Sequence, residues 1–201
     1  MFQQIDQHYK AVSYNGRDLR DGELIRCTFE RCTFVNASLE EITTSSCRFI
    51  ECDFRGASLN ASTHMESAFE NCHFGEANLF VSTFNTCKMT GSDFSGANMD
   101  GITLVQGDWS YTNLSHTRLE KQDLRRVRFY EADLSNANLT KADLRDCDLS
   151  RAALDNAKLQ GADLRGAQMD GVNFKTLAVT GARMDREQAA LFLRSYGAKV
   201  D

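Results

Sequence analysis

Seven cysteines stand in this sequence, at positions 27, 32, 47, 52, 72, 87 and 147. Cys27 and Cys32, and again Cys47 and Cys52, form pairs of the kind from which zinc sites, redox couples and disulfides are built. Zinc, however, needs four ligands converging on one point, and no histidine is placed to complete such a set. No Ser–His–Asp or Cys–His combination, phosphate-cradling glycine loop or paired-carboxylate pocket can be assembled either. No catalytic residue, metal ligand or cofactor is therefore assigned, and the chain is not expected to be an enzyme. The polar residues that remain of interest are His64, with Thr44 before it, and a scattered set of acids, Asp53, Glu76, Asp93, Asp133 and Asp155. What they could do depends on the elements that position them.

Those elements follow from a period of five. From Tyr14 to Met184 every position ending in 4 or 9 is a large apolar residue, with Thr44 and His64 the exceptions. The residue two earlier is small or modest almost throughout, as at Cys27, Cys32, Ala37, Ser62 and Ala132 to Ala167. Neither a helix (3.6) nor a flat strand (2) has this repeat. In each pentad the large and the small residue face one side and the other three face solvent. All seven cysteines occupy the small inward position, where a thiol serves as a compact hydrophobe. The phase never slips, so no loop should interrupt the repeat.

Proline is absent, which suits a fold that wants nearly every backbone N–H in a ladder. The net charge of −5 argues against a general grip on nucleic-acid phosphates, which needs clustered Lys and Arg. No apolar run is long enough to span a membrane, and the opening MFQQIDQHYK lacks the order of a secretory signal. A cytoplasmic protein without disulfides is expected.

The pentad pattern over 14–184 resembles the pentapeptide repeat proteins. The resemblance implies an all-β fold, a right-handed quadrilateral parallel β-helix in which each pentad forms one side of a square and four pentads one coil. Stacked at about 4.8 Å, about nine coils give a rod roughly 40 Å long. Twenty residues then return to the same face. Phe34, Phe54, Phe74 and Phe94 share one face with Phe174, and beside it lie Asp53, Glu76, Asp93, Asp133 and Asp155 against only Arg55 and Lys175. This anionic face is the candidate partner surface. The face of Thr44 and His64 is polar over two coils, which suggests a local flattening or bulge, or else a notch. Glycines such as Gly91, Gly96, Gly161 and Gly166 fall at corners.

An open stack exposes unpaired edges, so each end needs a cover. Residues 1–13 are expected to cap the first. At the other, 185–201 reads as a short α-helix and tail: Asp185 as N-cap, Glu187 and Gln188 in the first turn, and Gly197 as stop. Its apolar residues Ala189, Leu191, Phe192, Leu193 and Tyr196 exceed what a cap needs, which suggests a homodimer interface.

The unbroken repeat, the ending "D-x-x-QA" with "YGA", and the segments "HMESAFENCHF" and "TFNTCKM" are similar to the DNA gyrase-interacting fluoroquinolone-resistance members of the family, the mycobacterial one especially. This implies a head-to-head dimer that sits as a DNA mimic in the DNA-binding saddle of DNA gyrase or another type II topoisomerase. Plasmid-borne members carry projecting loops that this chain lacks, so binding is the firmer implication and rescue from a quinolone the separate one. A net of −5 is far below the two dozen or so charges on about 40 Å of duplex. Mimicry would rest on shape and on the placement of the acids. A generic protein-interaction scaffold with another partner would have much the same sequence.

Overall fold

The computed structural model describes residues 2–200; residue 1 of the expected cap and residue 201 of the expected tail lie outside them. Among the described residues there are ten short strands. In chain order they are β1 (Gln3–Ile5), β2 (His8–Lys10), β3 (Glu23–Ile25), β4 (Thr28–Glu30), β5 (Thr43–Ser45), β6 (Arg48–Ile50), β7 (Thr63–Met65), β8 (Ala68–Glu70), β9 (Thr83–Asn85) and β10 (Thr103–Val105). A 3₁₀ turn at Phe174–Thr176 and one helix, α1 (Arg186–Ser195), complete the chain. The strands form two parallel sheets, β1-β3-β5-β7-β9-β10 and β2-β4-β6-β8. Register is constant: Leu24 pairs with Thr44, Thr44 with His64, His64 with Phe84 and Phe84 with Leu104. Elsewhere single parallel bridges continue the same offset, as in Asp53 to His73 to Asp93. The chain is the right-handed quadrilateral β-helix that the pentads imply, closed by a short C-terminal helix.

The inward pair of each pentad fills the tube. Phe34, Phe54, Phe74 and Phe94 stack face to face at 4.7 to 4.9 Å, the inter-strand spacing imposed on side chains. Phe29, Phe49 and Phe69 stack likewise on the adjoining face and meet the first column edge-on. Each such aromatic pair contributes about 0.5–1.5 kcal/mol beyond area burial. The corners require positive φ, and non-glycine residues adopt it as well, including Asn36 at 54° and Glu41 at 58°. That conformation costs roughly 1–2 kcal/mol per residue. A ladder bond offsets it: Asn36 N–H donates to Arg55 O and Glu41 N–H to Asn60 O in the next coil.

On one face the outward residues track the change from strand to turn. In four strands of the first sheet, β5, β7, β9 and β10, the residue before the inward position is Thr43, Thr63, Thr83 or Thr103, and the side extends. Farther along the same face Asp123, Asp143 and Asp163 stand there, and each carboxylate accepts the N–H two residues on. This local bond favours a turn over an extended strand.

Residues before 14 continue the ladder: β1 pairs with β3 and β2 with β4. The first segment is thus one more coil, with β1 and β2 as the end strands of their sheets. Tyr9 lies on Phe29 at 5.0 Å, and Tyr14 on Phe34 at 4.9 Å. At the far end the ladder persists to Asp163–Arg183, and α1 follows.

Candidate functional site

All seven cysteines are buried at the inward position. Several thiols donate to the carbonyl twenty-three residues back, Cys52 to Phe29 O and Cys72 to Phe49 O. Ser82 and Ser92 make the same bond to Leu59 O and Phe69 O. A small side chain with a weak donor is what the position uses. Cys32, Cys52 and Cys72 share one column, yet no group of three or more His, Cys, Asp or Glu is arranged to hold a metal among the described residues.

His64 corrects the expectation of a bulge or notch. It lies in β7 with unbroken pairing on both sides and is 1% exposed. Its Nδ1 is 2.9 Å from Thr44 Oγ1 and its Nε2 2.9 Å from Ser62 Oγ. Thr44 also bonds Ser67, and Ser62 bonds Ser82. Two polar residues stacked one coil apart satisfy each other, so the coil need not open. Burial pulls the imidazole down to about 3, and its ring stacks on Phe84 at 4.6 Å.

The acidic candidates fall on one side of the rod. Asp53, Asp93 and Asp133 occupy a single bridged column with His73 and Asn113 between them. Each side chain accepts the N–H two residues on, from Arg55, Ser95 and Ser135, so these acids serve the turn as well as the surface. Glu76 and Asp155 do not. Glu76 is exposed at a corner, and Asp155 accepts the Thr176 hydroxyl at 3.0 Å. The Arg55 guanidinium pairs with Asp53 at 2.6 Å and holds its carboxyl below the usual range. Glu76, Asp93, Asp133 and Asp155 have no ion-pair partner among the described residues. On the other faces some carboxylates are matched, Asp123, Asp143 and Asp163 with Arg125, Arg145 and Arg165, Glu70 with Arg48 and Lys88, and Asp108 and Asp148 with Arg128, while others, such as Glu41, Glu66, Glu120 and Asp146, stand without an ion-pair partner among the described residues. This side thus gathers four unpaired acids beside the paired Asp53.

A second surface escapes a reading based on charge. Met65, Phe80, Val81 and Val105 are exposed large apolar residues around the first sheet's uncharged Thr63, Thr83 and Thr103. All four sit at outward positions that polar residues usually fill. Scanning those positions for bulk would have found them.

Helix α1 divides its apolar residues between two tasks. Asp185 caps it, accepting from Glu187 N–H, while Gln188 Oε1 accepts Asp185 N–H. Gln188 Nε2 donates to Ala167 O, and Asp185 accepts Gly166 N–H, which ties the helix to the last coil. Leu191 and Phe192 pack on the core, with Phe192 meeting Phe174 at 5.7 Å. Ala189, Leu193 and Tyr196 face outward, the last two 49% and 58% exposed. No helix is long and apolar enough to cross a membrane among the described residues.

Two family models match the chain: a pentapeptide repeat region over residues 77–151 and pentapeptide repeats (8 copies) over residues 147–186. Together they span 77–186, more than half of it. No curated protein matches by sequence. Among solved structures, full-length QnrB1, a plasmid-mediated fluoroquinolone resistance protein, is similar with a TM-score of 0.84 and 20% identity, over 98% of this chain and 100% of that one. A trypsin-treated variant of QnrB1 gives 0.67 at 21% identity, over 99% and 100%. At these identities the likeness is one of fold.

Proposed function

Since this chain belongs to the pentapeptide repeat proteins, we propose that it is a cytoplasmic DNA mimic that binds a type II topoisomerase, DNA gyrase or its decatenating relative. It would thereby modulate that enzyme and protect it from a quinolone or another poison. The observation that carries this reading is the side of unpaired carboxylates, Glu76, Asp93, Asp133 and Asp155, on a straight-sided rod of the QnrB1 fold. Acids without cationic partners of their own are free to meet the Lys and Arg that normally hold phosphate, and they steer the encounter. The outward residues Ala189, Leu193 and Tyr196 would join two copies end to end, which doubles the length of the acidic side.

The test is a supercoiling assay with purified gyrase, with and without a quinolone. The substitutions are Asp53→Asn, Glu76→Gln, Asp93→Asn, Asp133→Asn and Asp155→Asn combined. An Asn side-chain oxygen accepts the same turn bond, as Asn113 does from Ser115 N–H in the same column, so the coil survives neutralisation. Inhibition of supercoiling should fall by at least about tenfold. Inhibition unchanged in a folded variant would refute mimicry through this side. The uncharged apolar surface around Phe80 favours the second reading, a scaffold for a different protein partner. In that case Phe80→Lys would abolish partner capture while gyrase was ignored throughout.

A further inference from the structure

Among the described residues the ladder is interrupted at two places: at the last coil, where the 3₁₀ turn Phe174–Thr176 replaces a bonded side, and once in the interior of the rod. Between the coil of residues 75–94 and the next, Leu79 N–H donates to Asn98 O, Asn98 N–H to Ala77 O, Val81 N–H to Asp100 O and Thr103 N–H to Ser82 O. One coil further, no backbone hydrogen bond joins residues 98–106 to 118–126 among the described residues. The same two coils stay bonded on their other two faces, through Trp109 N–H to Arg128 O and Leu114 N–H to Asp133 O. Three clefts follow this seam around the rod. One of 440 Å³ lies between Thr103–Gln106 and Asp123–Arg126, one of 270 Å³ lies at Asp100 and Lys121, and one of 110 Å³ lies at Asn98 and Arg118. On the outside one ion pair among the described residues crosses it, Arg118 to Asp100 at 3.4 Å.

The sequence explains the gap. The inward small position on this face carries Ser62, Ser82, Ile102, Gln122, Ala142 and Ala162 in successive coils. On this face two long residues follow one another in successive coils at Ile102, which is buried, and Gln122, which is half-buried, where a serine or an alanine usually fits the close-packed interior. The side also changes there from the extended form of β10 to the turn form at Asp123, but that change alone does not break a ladder. The second sheet makes it between β8 and Lys88 with small Ser67 and Cys87 inside, and Phe69 N–H still donates to Lys88 O. In the coil that precedes the seam Trp109 is fully buried, and its Nε1 has no hydrogen-bond partner among the described residues.

We propose that this seam is a hinge: Ile102 and Gln122 hold two faces of the rod apart, and the halves on either side bend about the intact Trp109 and Leu114 faces. The core remains continuous, with Met99, Leu104, Leu119 and Leu124 all buried, so bending changes the rod's curvature without unfolding it. A rod that flexes at one point can fit a partner groove whose curvature it does not share. The proposal is independent of which partner that is.

Hydrogen exchange on the full chain tests it. The seam amides that lack a ladder partner, Met99, Gly101, Leu104, Gln106, Arg118 and Asp123, should exchange at least about tenfold faster than the bonded amides of 107–114 and 127–134, the other sides of the same coils. The paired variant Ile102→Ser with Gln122→Ala should bring them to the level of their neighbours. Equal protection in the natural chain overturns the proposal, and so does a folded double variant whose seam still exchanges fast. Should that variant not fold, Thr103→Cys with Asp123→Cys replaces it. Ladder neighbours lie within disulfide reach only when the seam closes, so oxidation should cross-link the pair and slow exchange across the seam. Failure to cross-link overturns the hinge.

Discussion

His64 shows how a polar residue can occupy a core column and still be silent as a site. Its two nitrogens are used by Thr44 and Ser62, and burial lowers its pKa from 6.5 to about 3. Below about pH 6.5 the unfolded chain therefore holds a proton that the folded chain refuses. Stability is full above that value and declines as pH falls toward 3, by about 1.4 kcal/mol per unit. His64→Phe matches the Phe84 below it and removes this slope. Melting temperatures between about pH 7 and 5 should fall for the natural chain and stay level for the variant, whereas parallel curves would mean the imidazole is not held neutral. The cysteines make a companion case. Burial pushes Cys47 and Cys87 up to about 11 and Cys147 up to about 12, and the thiolate is the reactive form. A thiol reagent should label none of the seven in the native protein and all of them in denaturant. Prompt labelling of any one would place it outside the tube.

At the scale of elements, the period of five dictates the coil, and on the face of Thr43 to Asp163 the change from threonine to aspartate accompanies the change from strand to turn. Helix α1 obeys a different rule, because its two faces do different work. Gln188→Ala would leave Asp185 N–H and Ala167 O unpaired, loosening the helix by about 1–3 kcal/mol. Chemical denaturation followed by circular dichroism would register it as an earlier loss of helical signal. Leu193→Lys with Tyr196→Lys changes only the outward face. It should yield a folded monomer in sedimentation equilibrium, and a dimer that persists would move the interface elsewhere.

For the whole molecule the decisive quantity is the arrangement of charge, since a net of −5 is modest. The Asp–Arg pairs at Asp123, Asp143 and Asp163 offset one another, whereas Glu76, Asp93, Asp133 and Asp155 stand without cationic partners on one side. Binding to a topoisomerase through that side should weaken as salt rises, because exposed charges are screened within about 8–10 Å at physiological salt. Titrations at rising ionic strength would show it, and the amide variant should have a flatter dependence. An affinity indifferent to salt would point instead to the apolar surface of Met65, Phe80, Val81 and Val105.

The sequence by itself determined the coil, its register, the placement of every cysteine and the cap of the helix. The first three follow from a repeat short enough that one residue's neighbours are known from counting, and the cap from the Asp185 and Gln188 that open the helix. Counting also put Asp53, Asp93 and Asp133 on one side. It could not say that Asp53 is neutralised by Arg55 while Asp93 and Asp133 stand unpaired, because ion pairs depend on rotamers and on residues in adjacent coils. Nor could it say that Thr44 and His64 satisfy each other, or which residues of α1 seal the end. The break at Ile102 and Gln122 was written in the sequence as two long residues twenty apart. Only the tertiary structure decided that the coils would separate there, since a solenoid must either compress such a pair or give up the hydrogen bonds between its turns.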